Sequence, residues 1–216
     1  MTSHEIELAE FAFLEDDSKN GLYAMFAEKY EFVRSEKWFT FKAALNLMHQ
    51  RRTPERMPTI VETGTMRMKE DPAGGSSLFF GEYCKRYGGH LTTVDIDAAH
   101  MTTSKTLTAD YAPWITYALE DSIGFLRRFD RPISLIYLDS YDCVPVGDST
   151  PAQEHQVKEF QAAKHALGPD SIILCDDAGF PSGGKPKLLK RVLPNEGWEC
   201  IADRGQSLWQ SKMRGF

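Results

Sequence analysis

Acidic residues follow each of five short apolar segments of this 216-residue sequence. Carboxylates at such positions could accept hydrogen bonds from a nucleoside, bind a divalent cation or take up a proton. Asp and Ser also favour turns and helix N-termini, which explains any one of these segments alone. Their repetition favours a shared binding site. The segments are Glu62-Thr63-Gly64-Thr65, Asp95-Ile96-Asp97, Glu120-Asp121-Ser122, Asp139-Ser140-Tyr141-Asp142 and Asp176-Asp177.

Asp139, Asp176 and Asp177 are the residues best suited to bind a metal ion. Three carboxylates do not lie together without a proton or a cation, because mutual repulsion and desolvation are costly. Oxygen ligands of this kind suit Mg²⁺, with water and substrate completing the octahedron. In the alternative arrangement, Asp177 points to solvent and only Asp139 lines the crevice.

Asp142 and His155 are the candidates for a general base. Asp142 lies three residues after Asp139, and His155 lies in the first turn of a helix predicted from Thr150. Imidazole has the more suitable unperturbed pKa for accepting a hydroxyl proton. His155 could equally be a metal ligand or an ordinary hydrogen-bonded helix residue. The other histidines considered, His90, His100 and His165, are predicted to lie away from the site and to be structural.

The elements that must position these residues alternate between short apolar runs and longer helical stretches. Runs such as residues 133–138 and 171–175 are nearly continuously apolar, as in central strands of a parallel sheet that is covered on both faces. We predict an α/β fold with a doubly wound, mostly parallel seven-stranded sheet, closed by an antiparallel hairpin whose turn lies at 203–205. Residues 1–57 form a helical lead-in and residues 58–216 a Rossmann-like core, all within one domain.

In an open parallel sheet, ligands bind outside the carboxyl ends of the strands. Gly64 lies where the backbone must approach a ligand closely. Asp95 ends the second strand, where a carboxylate can accept hydrogen bonds from both hydroxyls of a ribose, whereas Asp97 is expected to cap the next helix. No GxGxxG follows the first strand, which disfavours a dehydrogenase.

The ordered strings IVETGT, GGSSLFF, TTVDID, EDS, LIYLDSYD, PAQEHQVKE and ILCDD, over about residues 59–180, carry a family resemblance. The sequence resembles the class I S-adenosylmethionine-dependent methyltransferases. More narrowly, it is similar to the small O-methyltransferases that pair a divalent metal with the cofactor, including those that act on sugars of natural products. Residues 66–74 separate the glycines further than is usual in that family, which suggests a flap.

The resemblance implies S-adenosylmethionine and a divalent cation, Mg²⁺ first, as cofactors. The cation, held by Asp139, Asp176 and Asp177, would bind the acceptor hydroxyl and lower its pKa. Asp139, Asp142 and His155 would then be the catalytic residues. The implied cofactor-binding residues are Glu62, Gly64, Thr65, Gly75, Ser76, Asp95, Asp121, Ser122 and Asp139.

Composition and charge limit the classes of partner that we expect this chain to bind. The formal net charge is −6 and Lys and Arg do not cluster, which argues against a nucleic-acid partner. No stretch of the sequence approaches the roughly 20 consecutive apolar residues of a membrane span. The amino terminus does not resemble a secretory signal. The four cysteines form no CxxC pair, which argues against a structural zinc site. We therefore expect a cytoplasmic enzyme with a small-molecule hydroxyl acceptor, and homo-oligomer formation stays open.

Two other functions and three side-chain roles complete the expectations. The chain could be a catalytically silent nucleoside-binding or oligomeric module, or a metal-dependent phosphohydrolase that uses Asp95 and Asp97. Lys185 and Lys187 are predicted to lie in a solvated loop rather than to bind an anionic substrate. Aromatic residues of the lead-in could form a lid or pack against the sheet: Tyr23, Tyr30, Trp38 and Phe39.

Overall fold

A computed structural model of the chain describes Leu22 and residues 36–68, 75–143 and 146–212. Its strands are β1 (Thr59–Thr63), β2 (His90–Asp95), β3 (Ile115–Leu119), β4 (Ile133–Leu138), β5 (Leu167–Cys175), β6 (Trp198–Asp203) and β7 (Ser207–Ser211). Its α-helices are α1 (Glu36–Gln50), α2 (Ser76–Tyr87), α3 (Ala98–Leu107), α4 (Ser122–Arg128), α5 (Thr150–Ala163) and α6 (Leu189–Val192). Short 3₁₀ helices span Ala109–Trp114, Lys164–Ala166, Lys185–Lys187 and Leu193–Glu196.

The seven strands form one sheet in the order β3-β2-β1-β4-β5-β7-β6. Strands β1 to β5 are parallel, and β7 runs antiparallel to both β5 and β6. This confirms the predicted doubly wound fold and its terminal hairpin. The chain moves outward from β1 in one direction and from β4 in the other, so the switch point lies between these neighbours, where such folds bind ligands.

Apolar side chains cover both faces of the sheet. In β4, Leu135 and Tyr137 belong to one buried cluster, whereas Ile133, Ile136 and Leu138 belong to the other. Because successive strand residues point to opposite faces, a strand that is covered on both sides has to be apolar throughout. This explains the nearly continuous apolar run at residues 133–138, which the sequence analysis assigned to a central strand.

Helix α1 confirms the predicted lead-in over residues 36–50. Trp38 packs on Phe79 with ring centroids 5.3 Å apart, as expected for core packing. The guanidinium of Arg204 lies 4.4 Å from the centre of the Phe39 ring. Tyr23 and Tyr30 lie outside the described residues, so the lid role stays a prediction for them.

Two helix starts show how acidic residues serve as caps. Asp97 accepts hydrogen bonds from the backbone N–H groups of Ala99 and His100, as predicted. Helix α5 begins at Thr150, and its N-cap residue is Ser149. Asp148, just before the helix, accepts a hydrogen bond from the Thr150 N–H at 2.9 Å. None of the helices in the described part of the chain is both long and apolar enough to span a bilayer.

Candidate active site

A cavity of about 540 Å³ opens at the carboxyl ends of β1 to β4, a volume in the range that small-molecule ligands occupy. Its position at the switch point is the one predicted for a doubly wound sheet. Its wall contains eight residues that the sequence analysis assigned to cofactor binding or catalysis: Gly64, Thr65, Asp95, Asp121, Ser122, Asp139, Asp142 and His155. It also contains Arg67, Val94, Ile96, Asp97, His100, Glu120, Ser140 and Tyr141.

Gly64 forms the floor of the cavity where β1 meets β4. Its φ is +82°, and a Cβ at this position would lie 2.7 Å from the carbonyl oxygen of Asp139. Any side chain would therefore strain the backbone and clash with the next strand. The close approach found at Gly64 is to the backbone of Asp139, and the predicted approach to a ligand stays a prediction.

Asp95 is fixed at the end of β2 with its carboxylate at the cavity wall. Its Oδ2 accepts a hydrogen bond from the Thr65 N–H at 3.1 Å, and its Oδ1 accepts one from the Asp97 N–H at 2.8 Å. Each oxygen keeps a further lone pair for a ligand. The expectation that His100 lies away from the site is wrong, because α3 starts beside Asp95 and places His100 Nδ1 3.6 Å from Asp95 Oδ2.

Asp121 and Ser122 follow β3 and line the same cavity. Asp121 is also the N-cap of α4, since it accepts a hydrogen bond from the Gly124 N–H at 2.7 Å. Capping and cavity lining therefore coincide, as the sequence analysis allowed. The hydroxyl of Ser122 lies 3.2 Å from His155 Nε2, which joins α4 to α5 across the cavity.

His155 has a defined environment, whereas Asp142 is open to solvent. His155 Nε2 lies 3.5 Å from Glu159 Oε1, and its ring centre lies 5.4 Å from that of Tyr141. Tyr141 holds a left-handed backbone conformation (φ +58°), which is uncommon for a bulky residue and often found at functional sites. The side chain of Asp142 is 75% exposed and pairs with Arg67 at 2.8 Å.

Glu159 is a residue that the sequence analysis missed. It is completely buried, and its Oε1 accepts a hydrogen bond from the Ser140 hydroxyl at 2.6 Å. Its Oε2 has no hydrogen-bond partner among the described residues. Its position four residues after His155 on a helix is the signal that could have identified it, because residues i and i+4 share a helix face.

Five charged residues beside the cavity form what we call the carboxylate–lysine cluster: Asp139, Asp176, Asp177, Lys37 and Lys185. One carboxylate oxygen from each aspartate lies within 4.8 Å of those of the other two. The predicted convergence of the three aspartates therefore exists, and Asp177 does not point to solvent. Lys37 Nζ lies 2.7 Å from Asp176 Oδ2, and Lys185 Nζ lies 2.7 Å from Asp139 Oδ1.

Lys185 is buried at 2% exposure, so its predicted placement in a solvated loop is wrong. The backbone after β5 explains the difference. Asp177 has a φ of +53° and Gly184 a φ of +62°, and a Cβ on Gly184 would fall 1.6 Å from the carbonyl oxygen of Asp177. This close crossing carries Lys185 into the cluster, whereas Lys187 remains exposed as predicted.

The lysines and aspartates of the cluster adjust one another's ionisation. Burial lowers the pKa of Lys37 and of Lys185, but the surrounding aspartates outweigh it and raise both above the ordinary value. Burial likewise opposes ionisation of Asp176, yet the two ammonium groups hold its pKa below the usual range. Burial and the neighbouring Asp176 raise the pKa of Asp139. The lysines are thus the charges that allow three carboxyls to lie together.

Glu62, Gly75 and Ser76, which the family resemblance implies as cofactor-binding residues, are not part of the cavity wall that the described residues form. Glu62 is fully buried, where Ser76 and Ser77 donate hydrogen bonds to its two carboxylate oxygens. Gly75 precedes α2 as its N-cap residue. These residues therefore attach the start of α2 to β1, and a cofactor-binding role for them stays a prediction.

Burial raises the pKa of Glu62 from 4.5 to about 7. The folded state therefore keeps a proton that the unfolded state releases, and the free energy of unfolding falls as the pH rises from about 4.5 to 7. Glu62→Gln removes this ionisation. We therefore expect the free energy of unfolding of the variant, measured relative to that of wild type, to rise by about 2–3 kcal/mol from pH 5 to pH 8.

Urea unfolding of both proteins at the two pH values measures this difference. Glu154→Gln is the control, because it removes a surface carboxylate from α5. Equal pH dependence of wild type and Glu62→Gln would show that Glu62 is not the group that loses its proton.

Comparison with known proteins agrees with this arrangement of strands. The sequence profile described as a methyltransferase domain matches residues 61–178, more than half of the chain. A search of curated proteins finds no match.

Solved structures of similar fold are distant in sequence. A structure titled as a putative rRNA methylase from Clostridium thermocellum is 12% identical with a TM-score of 0.57, over 79% of this chain and 95% of that one. A methyltransferase from Geobacter sulfurreducens is 9% identical with a TM-score of 0.57, over 89% and 87%. A methyltransferase from Podospora anserina with bound S-adenosylhomocysteine is 15% identical with a TM-score of 0.56, over 87% of both chains. At these identities the likeness supports the fold.

Proposed function

The chain belongs to the methyltransferase-domain family, and we propose that it is an O-methyltransferase that transfers the methyl group of S-adenosylmethionine to a hydroxyl of a small molecule. The observation that carries the finer assignment is the double position of Asp139. This residue lines the cavity and also belongs to the carboxylate–lysine cluster. A hydroxyl held at the cluster would therefore lie next to the ligand in the cavity.

The cavity offers groups suited to each part of the methyl donor. Asp95 would accept hydrogen bonds from the two ribose hydroxyls, since its carboxylate is already oriented by two backbone N–H groups. Ile96 is 75% exposed although it is apolar, and it would pack against the adenine. Asp121 and Ser122 would contact the adenine edge, and Gly64 leaves room for the methionine portion.

The three aspartates of the cluster suit a divalent cation such as Mg²⁺. Their ligand atoms are hard oxygens within 4.8 Å of one another. The ammonium groups of Lys37 and Lys185 already place positive charge beside these oxygens. When bound, the cation would act as a Lewis acid that lowers the pKa of an acceptor hydroxyl. Asp139, Asp176 and Asp177 are the residues that would hold it.

His155 is the better placed of the two candidate bases. It lines the cavity beside Ser122 and Glu159, whereas the Asp142 carboxylate forms an ion pair with Arg67 and is exposed to solvent. His155 would take the proton of the acceptor hydroxyl while the oxygen forms a bond to the methyl carbon. The carbon–sulfur bond breaks in the same step and leaves S-adenosylhomocysteine as a neutral thioether. Holding donor and acceptor in line contributes much of the rate.

A small-molecule acceptor fits the charge of the site better than a nucleic acid. The chain has a formal net charge of −6, and acids line the cavity rim at Asp97, Glu120, Asp121 and Asp142. A polyanion would be repelled there. Labelled methyl transfer from S-adenosylmethionine to a panel of sugars, phenols and ribosomal RNA tests this choice. Label in RNA alone would contradict it.

Removal of divalent cations should separate binding from turnover. We expect exhaustive chelation to lower methyl transfer at least about tenfold, because the acceptor hydroxyl loses its Lewis acid. The melting-temperature shift given by S-adenosylmethionine should persist, since no proposed ribose contact involves the cluster. Added Mg²⁺ should restore turnover.

Full turnover after chelation would exclude metal assistance and leave acid–base catalysis by His155. Cofactor binding without transfer to any acceptor would favour the catalytically silent module. A phosphohydrolase is disfavoured because the Asp97 carboxylate caps α3. Phosphate release from phosphomonoesters is the assay that would revive it.

A further inference from the structure

Lys37 and Lys185 hold the carboxylate–lysine cluster in different ways. Lys185 Nζ contacts Asp139 Oδ1 at 2.7 Å, the Asp139 carbonyl oxygen at 3.2 Å and Asp177 Oδ2 at 3.2 Å, and its side chain is 3% exposed. Lys37 Nζ contacts Asp176 Oδ2 at 2.7 Å and Asp177 Oδ1 at 3.3 Å, and its side chain is 20% exposed. Lys185 is thus anchored by backbone and side chains, whereas among the described residues the Lys37 ammonium contacts the carboxylates of Asp176 and Asp177.

The charges of the cluster make the two lysines unequal when a divalent cation binds. Three ionised carboxylates and one ammonium together with a doubly charged cation are neutral. A second ammonium would add positive charge beside the cation in a buried place, where repulsion is poorly screened. Lys37 is the lysine that can leave, because it lies in the first turn of α1 and already reaches solvent.

We propose that Lys37 and the divalent cation exclude each other on Asp176 and Asp177. This rests on the proposed function only in taking the cluster as the cation site. Lys37 fills the site while no cation is bound, and cation binding releases it from the carboxylates. The lysine therefore weakens cation binding. Because Lys37 lies in the first turn of α1, cation binding is also coupled to the position of the start of this helix. The same part of α1 is held by the Thr40 hydroxyl, which donates a hydrogen bond to Gln206 Oε1 at 2.6 Å.

Mn²⁺ binding to the full chain, followed by the electron paramagnetic resonance signal of the free ion, tests this exclusion without any turnover. Lys37→Met should bind Mn²⁺ about tenfold more tightly than wild type, as expected if Lys37 occupies the site about nine-tenths of the time. Lys37→Arg keeps a positive charge and should stay close to wild type. Lys187→Met, an exposed lysine of the 3₁₀ helix that contains Lys185, is the matched control and should change nothing.

A double-mutant cycle with Asp176→Asn locates the effect. Asp176→Asn alone removes a proposed cation ligand and should weaken Mn²⁺ binding, but Lys37→Met should raise the affinity less in the Asp176→Asn background than in wild type, because Asp176 is the aspartate that Lys37 contacts most closely. Equal or weaker Mn²⁺ binding by Lys37→Met, or no binding by either protein, would overturn the proposal. The S-adenosylmethionine shift in melting temperature is measured on the same samples. Its absence in wild type would count against the methyltransferase function and leave the exclusion by Lys37 unaffected.

Discussion

Asp95→Ala should abolish the rise in melting temperature that S-adenosylmethionine gives the wild-type protein. The Asp95 carboxylate is held at the cavity wall by the N–H groups of Thr65 and Asp97, so each oxygen keeps a lone pair for the ribose that we propose it binds. Two hydrogen bonds to an ionised acceptor contribute about 3–6 kcal/mol, which corresponds to a loss of at least about 100-fold in affinity. At a cofactor concentration that stabilises wild type by about 2.7 kcal/mol, the variant would gain only about 0.4 kcal/mol.

Asp97→Asn is the matched control for this experiment. Asp97 lines the same cavity and carries the same charge, but its carboxylate caps α3, a role that asparagine can take over. This variant should keep the shift, and both variants should unfold cooperatively without cofactor. An unchanged shift in Asp95→Ala would remove Asp95 from the ribose. Equal losses in both variants would indicate a general effect of rim charge.

The residues at the strand ends could be predicted because sheet geometry leaves little freedom. Asp95 ends β2 and Asp139 directly follows β4, and parallel strands that flank β1 present their carboxyl ends at one edge. The apolar runs fixed which segments are strands, and the first polar residue after each run marked the edge. Alternation within a strand limits such predictions, and the position of Glu62 shows why.

The family resemblance implies that Glu62 binds the cofactor, and in this structure its side chain lies on the α2 side of the sheet. It pairs with Tyr137 in the register of β1 and β4, one residue before the strand ends. There the side chain projects from a face of the sheet, where Ser76 and Ser77 donate hydrogen bonds to it. A single residue of register thus separates a side chain buried against α2 from one at the edge of the sheet, and the cofactor-binding role of Glu62 stays a prediction.

The two lysines of the cluster could not be predicted from local patterns. Lys37 contacts Asp176 across 139 positions of sequence, and nothing in α1 indicates which lysine turns inward. Lys185 lies in a Gly- and Pro-rich stretch that normally indicates an exposed loop. Its burial depends on backbone conformations with positive φ that only the folded chain reveals. The sequence thus predicted the three aspartates of the cluster, but not the two lysines that neutralise part of their charge.

Gly184→Ala should lower the free energy of unfolding by more than about 3 kcal/mol, because it combines backbone strain with a clash. Gly184 has φ +62° and ψ −166°, a conformation that is essentially restricted to glycine, and a Cβ would meet the carbonyl oxygen of Asp177 at 1.6 Å. Gly197→Ala is the control for strain alone, since its φ is +84° but the space around it is open. It should cost only about 1 kcal/mol.

A double-mutant cycle with Lys185→Met shows what Gly184 is for. Lys185→Met alone should cost about 3–5 kcal/mol, because it leaves buried carboxylates short of a counter-ion. If the glycine serves to bring Lys185 to Asp139 and Asp177, Gly184→Ala already loses part of those contacts. The double variant should then cost less than the sum, whereas Gly197→Ala with Lys185→Met should be additive. Additivity in both pairs, measured by urea unfolding, would mean that the tight turn at Gly184 and the burial of Lys185 are independent features of the loop.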